Sequence, residues 1–245
     1  MASIFFDFDG TLSKGGFKVI DRKSLLSFFK KLMDFVPQKS GYMSSKLKSK
    51  VFERIWGFYI KNKSEKQLKK EINETLREYN IKLFPGVKET LKQLKEEGHE
   101  LHIISRSPIE FVETIWENEG IKEIFDSIHA TKAQKIDRRI GRFNVKFYTE
   151  KMDVKPSTPK ERAETILRVL KEKNRLKDDI VVVGDSWTDA QTTIELLKRM
   201  RAGNVKLVIK NQKGIKKIAK KIKEAGGSLV VSEGHPMGNI RKAIT

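Results

Sequence analysis

The chain has 245 residues and carries 51 Lys and Arg against 32 Asp and Glu, a formal charge of +19. That length fits one large α/β domain or a domain with an insertion, and the charge favours phosphorylated small molecules, nucleic acid or acidic proteins as partners. The absence of Cys excludes disulfides and thiolate zinc sites, and no apolar run reaches membrane-spanning length, so a soluble protein of the reducing cytoplasm is expected. A lysine-rich surface beside Glu and Ile also suits a thermophilic source.

The apolar run Ile4-Phe5-Phe6 predicts a short buried strand that delivers Asp7 and Asp9, followed by the turn residue Gly10. Residues i and i+2 of an extended chain point the same way, so two acids converge where open α/β sheets place their ligands. Such a pair repels unless a cation or a shared proton relieves it, which points to a metal-assisted site with one nucleophilic and one acid/base carboxylate. After Lys14-Gly15-Gly16 the chain reads as helical from Asp21 to Asn80. Leu25, Phe28, Phe29, Leu32, Met33 and Val36 form one stripe, and Val51, Phe52, Ile55, Trp56 and Tyr59 a second. Ser64 opens a third helix with Leu68, Ile72, Leu76 and Tyr79, and the three stripes must pack on one another as a small bundle.

From Phe84-Pro85-Gly86 the rhythm changes to alternating helices and short apolar strands, the pattern of a parallel sheet. A helix from Val87 to Glu97 closes at Gly98, and Glu100 to Ser105 reads as the next strand. Ser107-Pro108-Ile109-Glu110 has the form of a capping box with proline at the first helical position, opening a helix that ends at Gly120. Later strands are expected at Asp126 to Thr131, Ile180 to Gly184, Val205 to Ile209 and Ser228 to Val231, with a hairpin excursion over residues 136–157. Thr158-Pro159-Lys160-Glu161 is a second capping box, and its early Lys160 implies a compensating anion because the helix dipole disfavours a cation there. Val181 to Gly184 again delivers acids, Asp185 and Asp189, to a strand end. Oxygen ligands with no His or Cys nearby suit Mg²⁺.

Asp7-x-Asp9-Gly10-Thr11-Leu12 resembles the first motif of the haloacid dehalogenase-like superfamily of phosphotransferases. Ser105, Lys160 and the Gly184-Asp185-Ser186-Trp187-Thr188-Asp189 segment stand in the order of its other three motifs, with Lys155 as the second choice for the lysine. The helical insertion and the stretch from Ser105 to Gly120 look most like the phosphoserine phosphatase-like branch. The resemblance implies a Rossmann-like parallel sheet between helices, a core of residues 1–13 and 84–245, and an all-helical cap over residues 14–83. It implies a Mg²⁺-dependent phosphatase in which Asp7 is the nucleophile and Asp9 the acid/base. Ser105 holds the phosphoryl group, Lys160 offsets charge, and the metal sits between Asp7, the Asp9 carbonyl and Asp185, with Asp189 binding directly or through water. An acid at position 9 argues against the ATPase and dehalogenase members.

Arg106 departs from the small residue common in that branch, which puts phosphoserine itself in doubt; its guanidinium suits a second anionic group of the substrate or a cap acid. A phosphorylated small molecule is the expected substrate, and neither the oligomeric state nor the cap residues that set specificity are legible. A phosphomutase or phosphotransferase of the same family shares this chemistry. A nucleic-acid-binding protein or end-phosphatase rests on the charge and on Lys213, Lys216, Lys217, Lys220, Lys221 and Lys223, but no aromatic residue interleaves these lysines. The four histidines read as structural, and Gly15-Gly16 with Phe84-Pro85-Gly86 as cap hinges.

Overall fold

The computed structural model describes residues 1–14, 56, 57, 59–140, 143–154, 156, 158–200 and 204–244. A seven-stranded sheet in the order β4-β3-β2-β1-β5-β6-β7 forms its centre. The strands are β1 (Ala2–Phe6), β2 (Glu100–Pro108), β3 (Ser127–Ile140), β4 (Phe143–Val154), β5 (Asp179–Gly184), β6 (Val205–Lys210) and β7 (Ser228–Ser232). All pairs are parallel except β3 with β4. Because β1 is flanked by β2 on one side and β5 on the other, the chain order reverses there. The crevice at the carboxyl ends of β1 and β5 is therefore where this Rossmann-like topology accepts a ligand.

Every residue of β1 is buried, as its continuous apolar run requires of a central parallel strand. Successive side chains alternate between two cores. Ile4 and Phe6 pack with Val181 and Val183 under helices α2 (Val87–Glu96) and α3 (Ile109–Glu119). Phe5 packs with Ile180 and Val182 under α4 (Pro159–Glu172), α5 (Trp187–Arg199) and α6 (Ile215–Glu224). Each of these large side chains contributes about 1.5–3 kcal/mol by leaving water, so β1 anchors both layers. Two histidines serve this scaffold: His99 accepts the Ala2 N–H at 3.0 Å, and His102 stacks on Phe5 with ring centroids 4.7 Å apart. A short helix over Arg241–Ile244 closes the chain, and no helix among the described residues is long and apolar enough to cross a membrane.

Helix α1 (Glu65–Glu78) lies between β1 and β2, in the stretch expected to form the insertion. Ser64 caps it through a box with Gln67, and Leu68, Ile72 and Leu76 form its buried stripe, as the sequence pattern requires. The stripe packs against α3. Trp56 and Ile60, fully buried, join the same core. The expected helix over Leu25–Val36, most of the Val51–Tyr59 helix and the hinge glycines Gly15-Gly16 lie outside the described residues. The chain leaves and re-enters the sheet domain side by side, with Ser13 bridged to Leu83 and the Phe84 N–H donating to the Leu12 carbonyl at 3.0 Å.

Two elements differ from expectation. The hairpin expected over residues 136–157 forms, but strand β3 does not stop at Thr131: it runs nine residues further without a break and pairs with β4. Its outer half carries the exposed Lys135, Asp137, Arg138 and Arg139. The hairpin survives there because it docks on the insertion: Asn62 N–H donates to the Tyr148 carbonyl at 3.0 Å, and Tyr148 N–H to the Lys63 carbonyl at 3.1 Å. Burial of the Tyr148 ring at 2% exposure adds more than the exposed Lys135–Glu65 pair at 2.8 Å, since surface pairs contribute about 0–1 kcal/mol. The second difference is at the start of α3. Strand β2 continues through Pro108, which occupies the N-cap with extended ψ of 138°, and the capping box expected at Ser107–Glu110 does not form. Ser107 is held by the strand and its hydroxyl is used elsewhere.

Candidate active site

The site is built on strand ends and helix starts. Asp7 follows β1 and donates its N–H to the Val183 carbonyl of β5 at 2.9 Å, which fixes it beside Asp185. Asp189 sits in the first turn of α5 at 1% exposure, and accepts the Ser186 N–H at 3.0 Å and the Ser186 hydroxyl at 2.6 Å. Asp7, Asp185 and Asp189 each bring a carboxylate oxygen within 4.8 Å of the others. Two glycines make room for them. A Cβ on Gly10, which has φ +86°, would collide with the Asp185 carboxylate, and one on Gly184 with the Asp189 carboxylate.

Among the described residues, the cation in contact with this trio is Arg162 of α4, buried at 4% exposure. One guanidinium nitrogen donates to Asp189 Oδ1 and another to Asp7 Oδ1, each at 2.7 Å. Burial pushes the Asp7 carboxyl up to about 8, with Asp189 the next cause; Arg162 opposes them, while Asp185 and Asp9 add to the rise. One guanidinium therefore leaves the trio short of positive charge. Three hard carboxylates with no nitrogen or sulfur donor form a set suited to Mg²⁺, and the shortfall in charge is what a divalent ion would supply.

Asp9 is oriented by the Ser107 hydroxyl, which donates to its Oδ2. Ser105, 1% exposed, accepts the Ser107 N–H at 3.0 Å and so props the same turn. Arg106, on β2 between Ser105 and Ser107, is exposed, and its guanidinium feels the charges of the site. Loss of hydration and the like charge of Arg162 lower its pKa, whereas Asp7, Asp189 and Asp9 oppose the shift. Thr131 donates to the Arg106 carbonyl at 2.8 Å and ties this turn to β3.

Lys160 is not brought to the acids. It is exposed and lines an outer groove with Trp187. Lys160 and Arg162 are two residues apart, about 200° around a helix, so only one can face the sheet. Arg162 shares the buried stripe of Ile166, Val169 and Leu170, and that basic residue within an apolar face was the sequence signal for it. The Thr158–Glu161 capping box forms as expected, with Glu161 N–H donating to the Thr158 hydroxyl at 3.2 Å. Lys155 lies outside the described residues. Ser107 had no comparable signal, because its sequence context suggests a helix cap.

A doubly wound sheet with an acidic cluster at its switch point, and with helix α1 between its first two strands, defines a class of α/β enzyme. The model of the haloacid dehalogenase-like hydrolases matches residues 4–192, and the chain belongs to that family. No curated protein matches it significantly. Among solved structures, a phospho-aspartyl intermediate analogue of phosphoserine phosphatase is 20% identical, with a TM-score of 0.59 over 99% of this chain and 98% of that one. A substrate-bound phosphoserine phosphatase complex is 20% identical, with a TM-score of 0.58 over 99% and 97%. A family hydrolase from Salmonella enterica serovar Typhi is 18% identical at a TM-score of 0.53; the match covers 84% of this chain but only 62% of that longer one. These likenesses establish the shared fold.

Proposed function

We propose that the protein is a Mg²⁺-dependent phosphomonoester hydrolase that works through an aspartyl-phosphate on Asp7. The observation that carries this reading is the convergence of Asp7, Asp185 and Asp189 at the ends of β1 and β5, with Arg162 clamped between two of them. Asp7, Asp185 and Asp189, with the Asp9 carbonyl that the family resemblance adds, would hold the ion. Bound there, Mg²⁺ supplies charge neutralisation for the phosphoryl oxygens.

In the first step an Asp7 carboxylate oxygen attacks phosphorus, the bond from phosphorus to the alcohol oxygen breaks, and Asp9 protonates the leaving oxygen. In the second, Asp9 takes a proton from water, the water oxygen attacks phosphorus, and the bond to Asp7 breaks to release phosphate. Ser107 keeps the Asp9 carboxyl aimed during both proton transfers, since its hydroxyl donates to one oxygen. Ser105 and Arg106 hold the phosphoryl group and a second anionic group of the substrate. Arg162 takes the charge-offsetting role that the family resemblance gives to a lysine, because it is the cation that touches Asp7. Residues 14–83 cover the site as a cap. Hydrolysis of a panel of phosphomonoesters, measured with Mg²⁺ and with EDTA, tests the assignment. Release of phosphate from at least one ester with Mg²⁺, lost in EDTA, is expected; no turnover of any ester would contradict it.

A further inference from the structure

The N-terminal end of α4, the exposed face of α5 from Trp187 to Lys198, and Lys221 of α6 border a groove of about 340 Å³. Its lining includes Lys160, Lys198, Lys221 and Trp187, with Gln191 and one acid, Glu195, which is paired to Lys198 at 2.8 Å. The same two helices serve the proposed catalytic site: α4 carries Arg162 two residues after Lys160, and α5 carries Asp189 two residues after Trp187. Trp187 is 38% exposed, whereas Trp56 and Trp116 are 0% and 2% exposed. A partly exposed tryptophan offers the kind of surface that is enriched at binding interfaces. The Lys221 ammonium lies 5.9 Å from its ring centroid, and Lys217, one turn before Lys221 on α6, continues the positive face outward. The lysines of this helix have no aromatic residue among them in sequence, and the fold supplies one from α5.

We propose that this groove binds single-stranded nucleic acid, with an unpaired base stacked on Trp187 and backbone phosphates neutralised by Lys160, Lys198 and Lys221, so that the phosphate presented to Asp7 is a strand end. An aromatic platform flanked by cations is the recognition mode of unpaired strands: every base has a stacking face, and the charge follows the backbone. The chain's charge of +19 adds long-range attraction. Strand binding stands independently, and only its strand-end clause rests on the phosphatase reading.

The test titrates the full-length protein, in EDTA, with a fluorescein-labelled oligothymidylate that lacks terminal phosphates, at several salt concentrations. Neutralisation of three phosphates predicts a slope of roughly −2 in log affinity against log salt. Trp187→Ala should weaken binding by about tenfold, and quenching of the exposed tryptophan emission should accompany saturation. Lys221→Glu should weaken binding and flatten the salt slope by roughly 0.7. Equal affinity of both variants and the wild type, or equally tight binding of a duplex or of polyglutamate, would overturn the groove. Terminally phosphorylated oligothymidylate with Mg²⁺ then tests the strand-end clause. It predicts a lower KM than for p-nitrophenyl phosphate in the wild type, and loss of that advantage in Trp187→Ala. A wild type that binds the strand as described but hydrolyses no phosphomonoester would leave the groove standing and remove the phosphatase reading alone.

Discussion

Glu110, in the first turn of α3, lies in the seam between α1, α3 and β4 at 8% exposure, with Glu65, Glu113, Glu117 and Tyr148 around the same small cavity. Burial pushes its carboxyl up to about 7; Lys135 and Tyr148 oppose the rise, and Glu113 adds to it. An acid whose pKa is raised on folding holds more protons folded than unfolded between the two values, so stability falls as pH rises from about 4.5 to about 7. A rise of this size corresponds to about 3 kcal/mol, lost in full above the folded value. Glu110→Gln removes the titration and keeps the shape. It should match the wild type below about pH 4 and exceed it by about 3 kcal/mol near pH 8, which for a chain of this size is roughly 6–12 °C in Tm. Thermal melts of both proteins at the two pH values read the difference directly and cancel every other titrating group. A pH-independent gap, or a variant less stable than the wild type near pH 8, would show that Glu110 is ionised and compensated in the fold, and would refute the reasoning.

Arg162→Met strands two carboxylates beside each other in a buried site. Breaking a buried pair of this kind costs about 3–5 kcal/mol at neutral pH, and Mg²⁺ should restore part of the loss; melts with and without the ion measure both effects. With a small phosphomonoester, Arg162→Ala should lower kcat at least about tenfold more than Lys160→Ala, because a preorganised charge at the reacting group matters more than one outside it; the reverse order would return the role to Lys160. Gly10→Ala should displace Asp185 and weaken Mg²⁺ binding by calorimetry, while Gly10→Ala with unaltered Mg²⁺ affinity would contradict the packing argument. Ser107→Ala should reduce kcat with little change in KM, since it aims Asp9 without being assigned any substrate contact, and a change confined to KM would speak against that role.

The sheet was legible because its central strands contain unbroken apolar runs, and both Ile4–Phe6 and Val181–Gly184 end directly in acids. Helix starts at Ser64 and Thr158 were legible for a local reason, since a capping box is closed by residues three apart. What failed depended on contacts distant in sequence. Ser107 satisfies the same local pattern, yet Asp9, almost a hundred residues away, takes its hydroxyl, and the strand continues through it. Arg162 and Lys160 are equivalent as basic residues near a helix start, and only the phase of α4 against the sheet separates them. The hairpin over residues 136–157 was legible, but its unbroken continuation of β3 depends on partners that β4 and Ser64 provide. Trp187 and Lys221 are on different helices, so no sequence window contains both.

The most direct test of the account uses Asp7 itself. The wild type, mixed with Mg²⁺ and a phosphomonoester carrying a radiolabelled phosphoryl group and quenched in acid, should retain label on the peptide that contains Asp7, while Asp7→Asn should remain folded, take up no label and release no phosphate. Phosphate release by pure Asp7→Asn at a rate near that of the wild type would contradict the central claim.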